Sequence, residues 1–117
     1  MGHREGSRGP GPVLAVDIGG TKIEAAVVDG SGGIHCRRRI PTRERAGNDG
    51  RRLTERLSSL LVRVLEDWRA GGGESPRRCG VGCGGPMTPG GETVSPLNIA
   101  EWREFPLRSA LASSLGM

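Results

Sequence analysis

The stretch AVDIGGTKIEAAVVDG, residues 15–30, constrains this chain more than any other. Two apolar segments are separated by Gly19-Gly20, and a Gly-Gly step between alternating apolar runs is a β-hairpin turn. The hairpin carries Asp17 before the turn and Thr21 and Lys22 after it, and Lys22 is the only lysine in the chain. Backbone N–H groups around a glycine turn can converge on an anion because no Cβ blocks the approach. Thr21 adds a hydroxyl donor, and Lys22 adds a compact positive charge suited to phosphate. Asp17 is out of place beside phosphate unless Mg²⁺ sits between them. Donors for phosphate plus a carboxylate for metal form the composition of a nucleotide-triphosphate site; the same residues also suit an ordinary hairpin with exposed polar groups.

Patterning after the hairpin extends the reading. VLAVDIG (13–19) and KIEAAVVD (22–29) are apolar strands, and IHCRRRIPT (34–42) is a third beyond the GSGG turn. Together they predict an antiparallel meander. Leu53, Leu57, Leu60, Leu61, Val64, Leu65 and Trp68 then recur at the helical period. They predict a helix over about 50–69, capped by Asn48 or Asp49 and ended by Gly71-Gly72-Gly73. Trp68 is expected in the core. CGVGCGGP (79–86) reads as a short small-residue strand running into a loop, 87–98 as a turn-rich excursion with a short strand near 92–94, and FPLRSALASSLG (105–116) as a helix closed by Gly116. The order indicates an α/β chain with a mixed sheet and helices against it.

Several function classes are disfavoured. Net charge is +4, but sixteen of the seventeen basic residues are arginines scattered along the chain, with no interleaved aromatics to stack bases. No nucleic-acid partner is expected. Three cysteines, Cys36, Cys79 and Cys83, are an odd count that argues against a disulfide framework, and the C-x3-C pair lacks the second half of a zinc site. Buried thiols in a reducing cytoplasm are expected. No run approaches the roughly 20 apolar residues of a membrane span, and residues 1–12, without an apolar core, read as a disordered leader. Gly80, Gly82 and Gly85 match G-x-G-x-x-G, but Pro86 and Pro89 follow where the dinucleotide fingerprint needs a helix to open.

DIGGTK, the amphipathic helix, GVGCGGPM and SPLNIAEWREFPLRSAL, in this order and spacing, resemble the amino-terminal part of the ROK family of bacterial glucokinases, other hexose and N-acetylhexosamine kinases and sugar-responsive repressors. The resemblance covers about residues 13–116. It implies the amino-terminal lobe of an actin/hexokinase-like (ribonuclease H-like) ATPase fold over 13–117, and transfer of phosphate from ATP to a hexose, with glucose the family's usual substrate. It further implies that Asp17, Gly19, Gly20, Thr21 and Lys22 form the first phosphate loop, with Asp17 supporting Mg²⁺. Gly85 and Pro86 match the loop lining the sugar pocket, and Asn98 a position near the sugar hydroxyls, where an amide supplies both donor and acceptor. The family's catalytic aspartate, its zinc-binding loop and its second lobe have no counterpart here. The fragment is therefore expected to be inactive alone, and the full-length protein to be a homo-oligomer. The alternative is a non-catalytic sugar-binding regulator or a remnant.

Overall fold

In a computed structural model, residues 10–44 and 49–117 are described. Asn48 and most of the expected leader, residues 1–9, lie outside them. Three strands form the meander: β1 (Val13–Ile18), β2 (Lys22–Val28) and β3 (Ile34–Pro41). A fourth, β4 (Arg78–Cys83), joins the other side of β1, giving the order β3-β2-β1-β4. The β1–β2 and β2–β3 pairs are antiparallel and β1–β4 is parallel, so the sheet is mixed.

Strand alternation divides the residues between two faces. Leu14, Val16 and Ile18 of β1 and Ile23, Ala25 and Val27 of β2 are buried. Helix α1 (Gly50–Ala70) buries Leu53, Leu57, Leu60, Leu61, Val64 and Leu65 in the same cluster. Each such side chain is worth about 1.5–3 kcal/mol when fully removed from water, and α1 depends on this packing because most helical stability in a protein comes from burying an amphipathic face rather than from propensity. Asp49 caps α1 by accepting the Arg52 amide at 2.8 Å. Trp68 departs from expectation. It is half-buried at the edge of the cluster, its indole N–H donating to the Glu74 carbonyl at 2.6 Å and its ring 5.0 Å from that of His35. Its place in the last turn of α1 sets the ring against the start of β3 and the chain that follows the helix.

The β2–β3 ladder contains a bulge between Ala25 and Val27, where Cys36 adopts φ 58°. Left-handed backbone at the first bulged position is the mark of one bulge type, which usually takes glycine there. The three thiols, expected to be buried, are half-buried and unpaired. After β4 the chain runs through an irregular excursion in which the expected strand near 92–94 is reduced to single bridges from Val94 to Met87 and Phe105. Helix α2 (Leu107–Leu115) follows, ended by Gly116 at φ 72°. The excursion supplies core residues that no periodicity announced: Val94, Ile99 and Trp102 are buried, and Trp102 stacks on Phe105 at 4.6 Å.

Candidate functional site

Because β1 and β4 are parallel neighbours in the register Ile18↔Cys83, their carboxyl ends lie side by side. The Gly19–Thr21 turn leaves one and Gly84–Pro86 leaves the other. Crevices at the carboxyl ends of adjacent parallel strands are where α/β sheets bind ligands.

The turn is closed by the Gly19 amide donating to the Lys22 carbonyl at 2.9 Å. Thr42, at the end of β3 and almost fully buried, braces it from behind. Its hydroxyl donates to the Gly19 carbonyl at 2.7 Å, and its amide to the Thr21 carbonyl at 2.9 Å. Thr42 closed the predicted third strand, but nothing in its position announced this role.

Gly20 packs against Asn98. A Cβ built on Gly20 would lie 2.5 Å from the Asn98 Cβ, so only glycine admits this contact. Arg43 fixes the same segment, donating to the Asn98 carbonyl at 2.9 Å and lying 3.4 Å from the Glu101 carboxylate. Two residues 78 positions apart in sequence are thus adjacent, and Asn98 remains exposed. Among the described residues, the second Glu101 carboxylate oxygen, Oε1, is buried without a hydrogen-bond partner.

Asp17 is exposed on the sheet face opposite Leu14, Val16 and Ile18, in register with Gly82 on one side and Glu24 on the other. Lys22, at the start of β2, places its ammonium 3.4 Å from Glu24 Oε1. The Cys83 thiol is pushed up by burial and, secondarily, by the charge of Asp17; burial raises Cys79 as well. Gly85 and Pro86, joined by a cis peptide, are exposed beyond β4, where the Pro86 carbonyl accepts the Ser95 amide at 2.9 Å. The structure therefore gathers Asp17, Gly19, Gly20, Thr21, Lys22 and Asn98 into one neighbourhood and puts Gly85–Pro86 at the same end of the sheet. One ammonium, one hydroxyl and one exposed carboxylate thus stand around a glycine turn at this end of the sheet. Among the described residues, no group of three or more His, Cys, Asp or Glu side chains is placed to bind a metal by itself, and no helix is long and apolar enough to cross a membrane.

The ROK family model matches residues 13–117. Glucokinases of Streptomyces coelicolor and Streptomyces lividans are each 29% identical over 107 residues, which is 92% of this chain and 31% of theirs. A ROK family glucokinase from Streptomyces griseus, solved in complex with glucose and AMPPNP, superposes with a TM-score of 0.74 at 26% identity, over 92% of this chain and 31% of that one. The ROK hexokinase of Thermus thermophilus gives 0.72 at 30% identity, over 90% and 32%. The chain thus spans about a third of the length of these relatives.

Proposed function

Since the chain belongs to the ROK family and carries the opening sheet of its actin/hexokinase-like fold, we propose that it supplies the phosphate-holding and part of the sugar-holding side of a kinase. That kinase transfers the terminal phosphoryl group of ATP to a hydroxyl of a hexose, glucose first among candidates. The observation that carries this reading is the junction of the Gly19–Lys22 turn with Asn98, which puts an anion-suited turn against a hydroxyl-suited amide. The glucose–AMPPNP complex of the Streptomyces griseus relative supports the same pairing of ligands.

In this reading the Gly20 and Thr21 amides, which the Gly19–Lys22 bond leaves at the apex of the turn, and the Thr21 hydroxyl donate to phosphate oxygens. The Lys22 ammonium neutralises them, an attraction worth about 4 kcal/mol at 4 Å and an effective dielectric of 20. Asn98 orients a sugar hydroxyl by donating and accepting at once, and the Gly85–Pro86 loop forms a wall of the sugar pocket. Mg²⁺ fits Asp17. This exposed carboxylate is a hard oxygen donor with glycine alongside at position 82, and Mg²⁺ takes one or two carboxylates together with phosphates and water. When bound, the ion neutralises charge developing on the transferred group.

Phosphoryl transfer also needs a base to take the hydroxyl proton, worth 10²–10⁴-fold. Glu92, Glu101 and Glu104 lie in no motif that matches it. The chain on its own is therefore expected to bind MgATP weakly and to phosphorylate no glucose. Amide chemical shifts on titration with Mg·AMPPNP test the reading: Gly19–Lys22 should move first. Shifts confined to other residues would overturn the site, and ATP-dependent glucose 6-phosphate formation by the purified chain would overturn its inactivity.

A further inference from the structure

Glu24 lies two residues beyond Lys22 on β2 and opposite Asp17 on β1, so the three side chains share one sheet face. On the other flank Glu24 is in register with Arg39 of β3. Its carboxylate nevertheless pairs with the lysine, at 3.4 Å. The partners differ in environment: the Lys22 side chain is 51% exposed and that of Glu24 only 25%. The acid is thus the more enclosed partner and the lysine the more exposed one, carried on a flexible four-carbon stem.

We propose that Glu24 is a positioning residue, the resident counter-ion that holds the Lys22 ammonium beside Asp17 and is exchanged for phosphate when a nucleotide binds. The proposal rests on the reading of the Gly19–Lys22 turn as a phosphate site. Two charges oppose each other in it. Glu24 keeps the ammonium over the correct face, yet it repels an incoming polyanion and competes with it for the same cation. A polyphosphate carrying several charges displaces a single part-exposed carboxylate, so the pair lowers affinity while it fixes where the charge waits.

Glu24→Gln removes the competing charge and preserves the shape. Inorganic tripolyphosphate, titrated calorimetrically without Mg²⁺ at low salt, should bind this variant roughly two- to fivefold more tightly than the wild type, the range a half-exposed ion pair allows. The gain should fade in 1 M salt, where the screening length is about 3 Å. Glu24→Asp, which keeps the charge on a shorter stem, should fall between. A merely structural role would predict weaker binding in both variants and no such salt dependence. Because Lys22 is the only lysine, its acetylation can be followed by peptide mass spectrometry without interference. In ligand-free protein its rate should rise about twofold in Glu24→Gln, as loss of a weak exposed pair implies, and tripolyphosphate should protect it in every variant. Unchanged acetylation overturns the resident pair. Tripolyphosphate binding that is unaltered or weakened by Glu24→Gln overturns the exchange and leaves the phosphate turn standing. If no variant binds or is protected, the phosphate turn itself falls, and the exchange with it.

Discussion

The meander with α1 and the β4–α2 side of the molecule are built by different physics. In the first, neighbours in sequence are neighbours in space, every strand is joined by a short turn, and α1 closes one face with six buried apolar side chains. In the second, β4 is an edge strand. Val81 is 39% exposed and Met87 48% exposed, and they border a groove of about 530 Å³ lined by Cys79, Cys83, Leu107 and Leu111 among others. The segment between β4 and α2 has almost no regular structure and places Leu97 81% exposed, yet it contributes Trp102 and Asn98. Most of the buried apolar side chains belong to the meander and α1. The candidate site forms where the loose side meets the rigid one.

The sharpest test of that contrast is a pair of truncations. Leu57→Ala removes a fully buried side chain between α1 and the sheet and should cost about 2–5 kcal/mol. Val81→Ala, on the groove, should cost under about 1 kcal/mol, because water already reaches it. Urea denaturation of both variants measures the difference. Equal losses would mean that the groove side is as well packed as the meander.

Gly20→Ala tests the seam itself. The added methyl would meet the Asn98 Cβ at 2.5 Å, a backbone-proximal atom that cannot swing away. Overpacking of this kind costs typically about 1–3 kcal/mol. Here it should also part the turn from the 96–102 segment and weaken tripolyphosphate binding. Asn98→Gly in the same chain should recover stability, a coupling that a double-mutant cycle reads directly.

The contrast also explains how much of this was legible in the sequence. The meander and α1 could be read because Leu53 to Leu65 follows 3.6 residues per turn and because β1 and β2 are short apolar runs bounded by glycine turns. The hairpin that groups Asp17, Gly19, Gly20, Thr21 and Lys22 could be read because a Gly-Gly step between two apolar runs folds its flanks together, although those residues by themselves suit an ordinary hairpin as well. Val94, Ile99 and Trp102 could not, since irregular backbone imposes no spacing on the residues it buries. Trp68 obeys the period and is still only half-buried, because in the last turn of α1 its indole N–H turns to the Glu74 carbonyl just past the helix. Thr42 and Glu24 owe their places at the site to cross-strand register, which local pattern does not encode. Thr42→Val keeps the shape and deletes the hydroxyl that donates to Gly19. It should cost about 1 kcal/mol by thermal melting, with a matching loss of order in the turn.

The smallest expected effect lies at the far tip of the rigid region, in the β2–β3 turn. Asp29 accepts hydrogen bonds from the Ser31 hydroxyl at 2.6 Å and the Ser31 and Gly33 amides at 2.9 Å, and it lies 2.6 Å from His35 Nε2. The Ser31 hydroxyl foremost, then His35 and the two amides, hold its carboxyl well below the usual carboxylate range. A carboxyl depressed by folding contributes stability that is present above its unfolded value, about 3.9. That contribution is lost as pH falls below this value toward the folded one. Glu44, held down by Arg52, and Asp67, held down by Arg38, add acid sensitivity of the same sign. Comparison with Asp29→Asn separates the turn from them: the variant should be less stable than the wild type at pH 6, and the gap should narrow steadily as pH falls from 4 to 2. A gap that stayed constant across that window would show that the turn is held by its backbone alone. The meander would then owe nothing to charge at its tip, and its contrast with the groove side would rest on apolar packing.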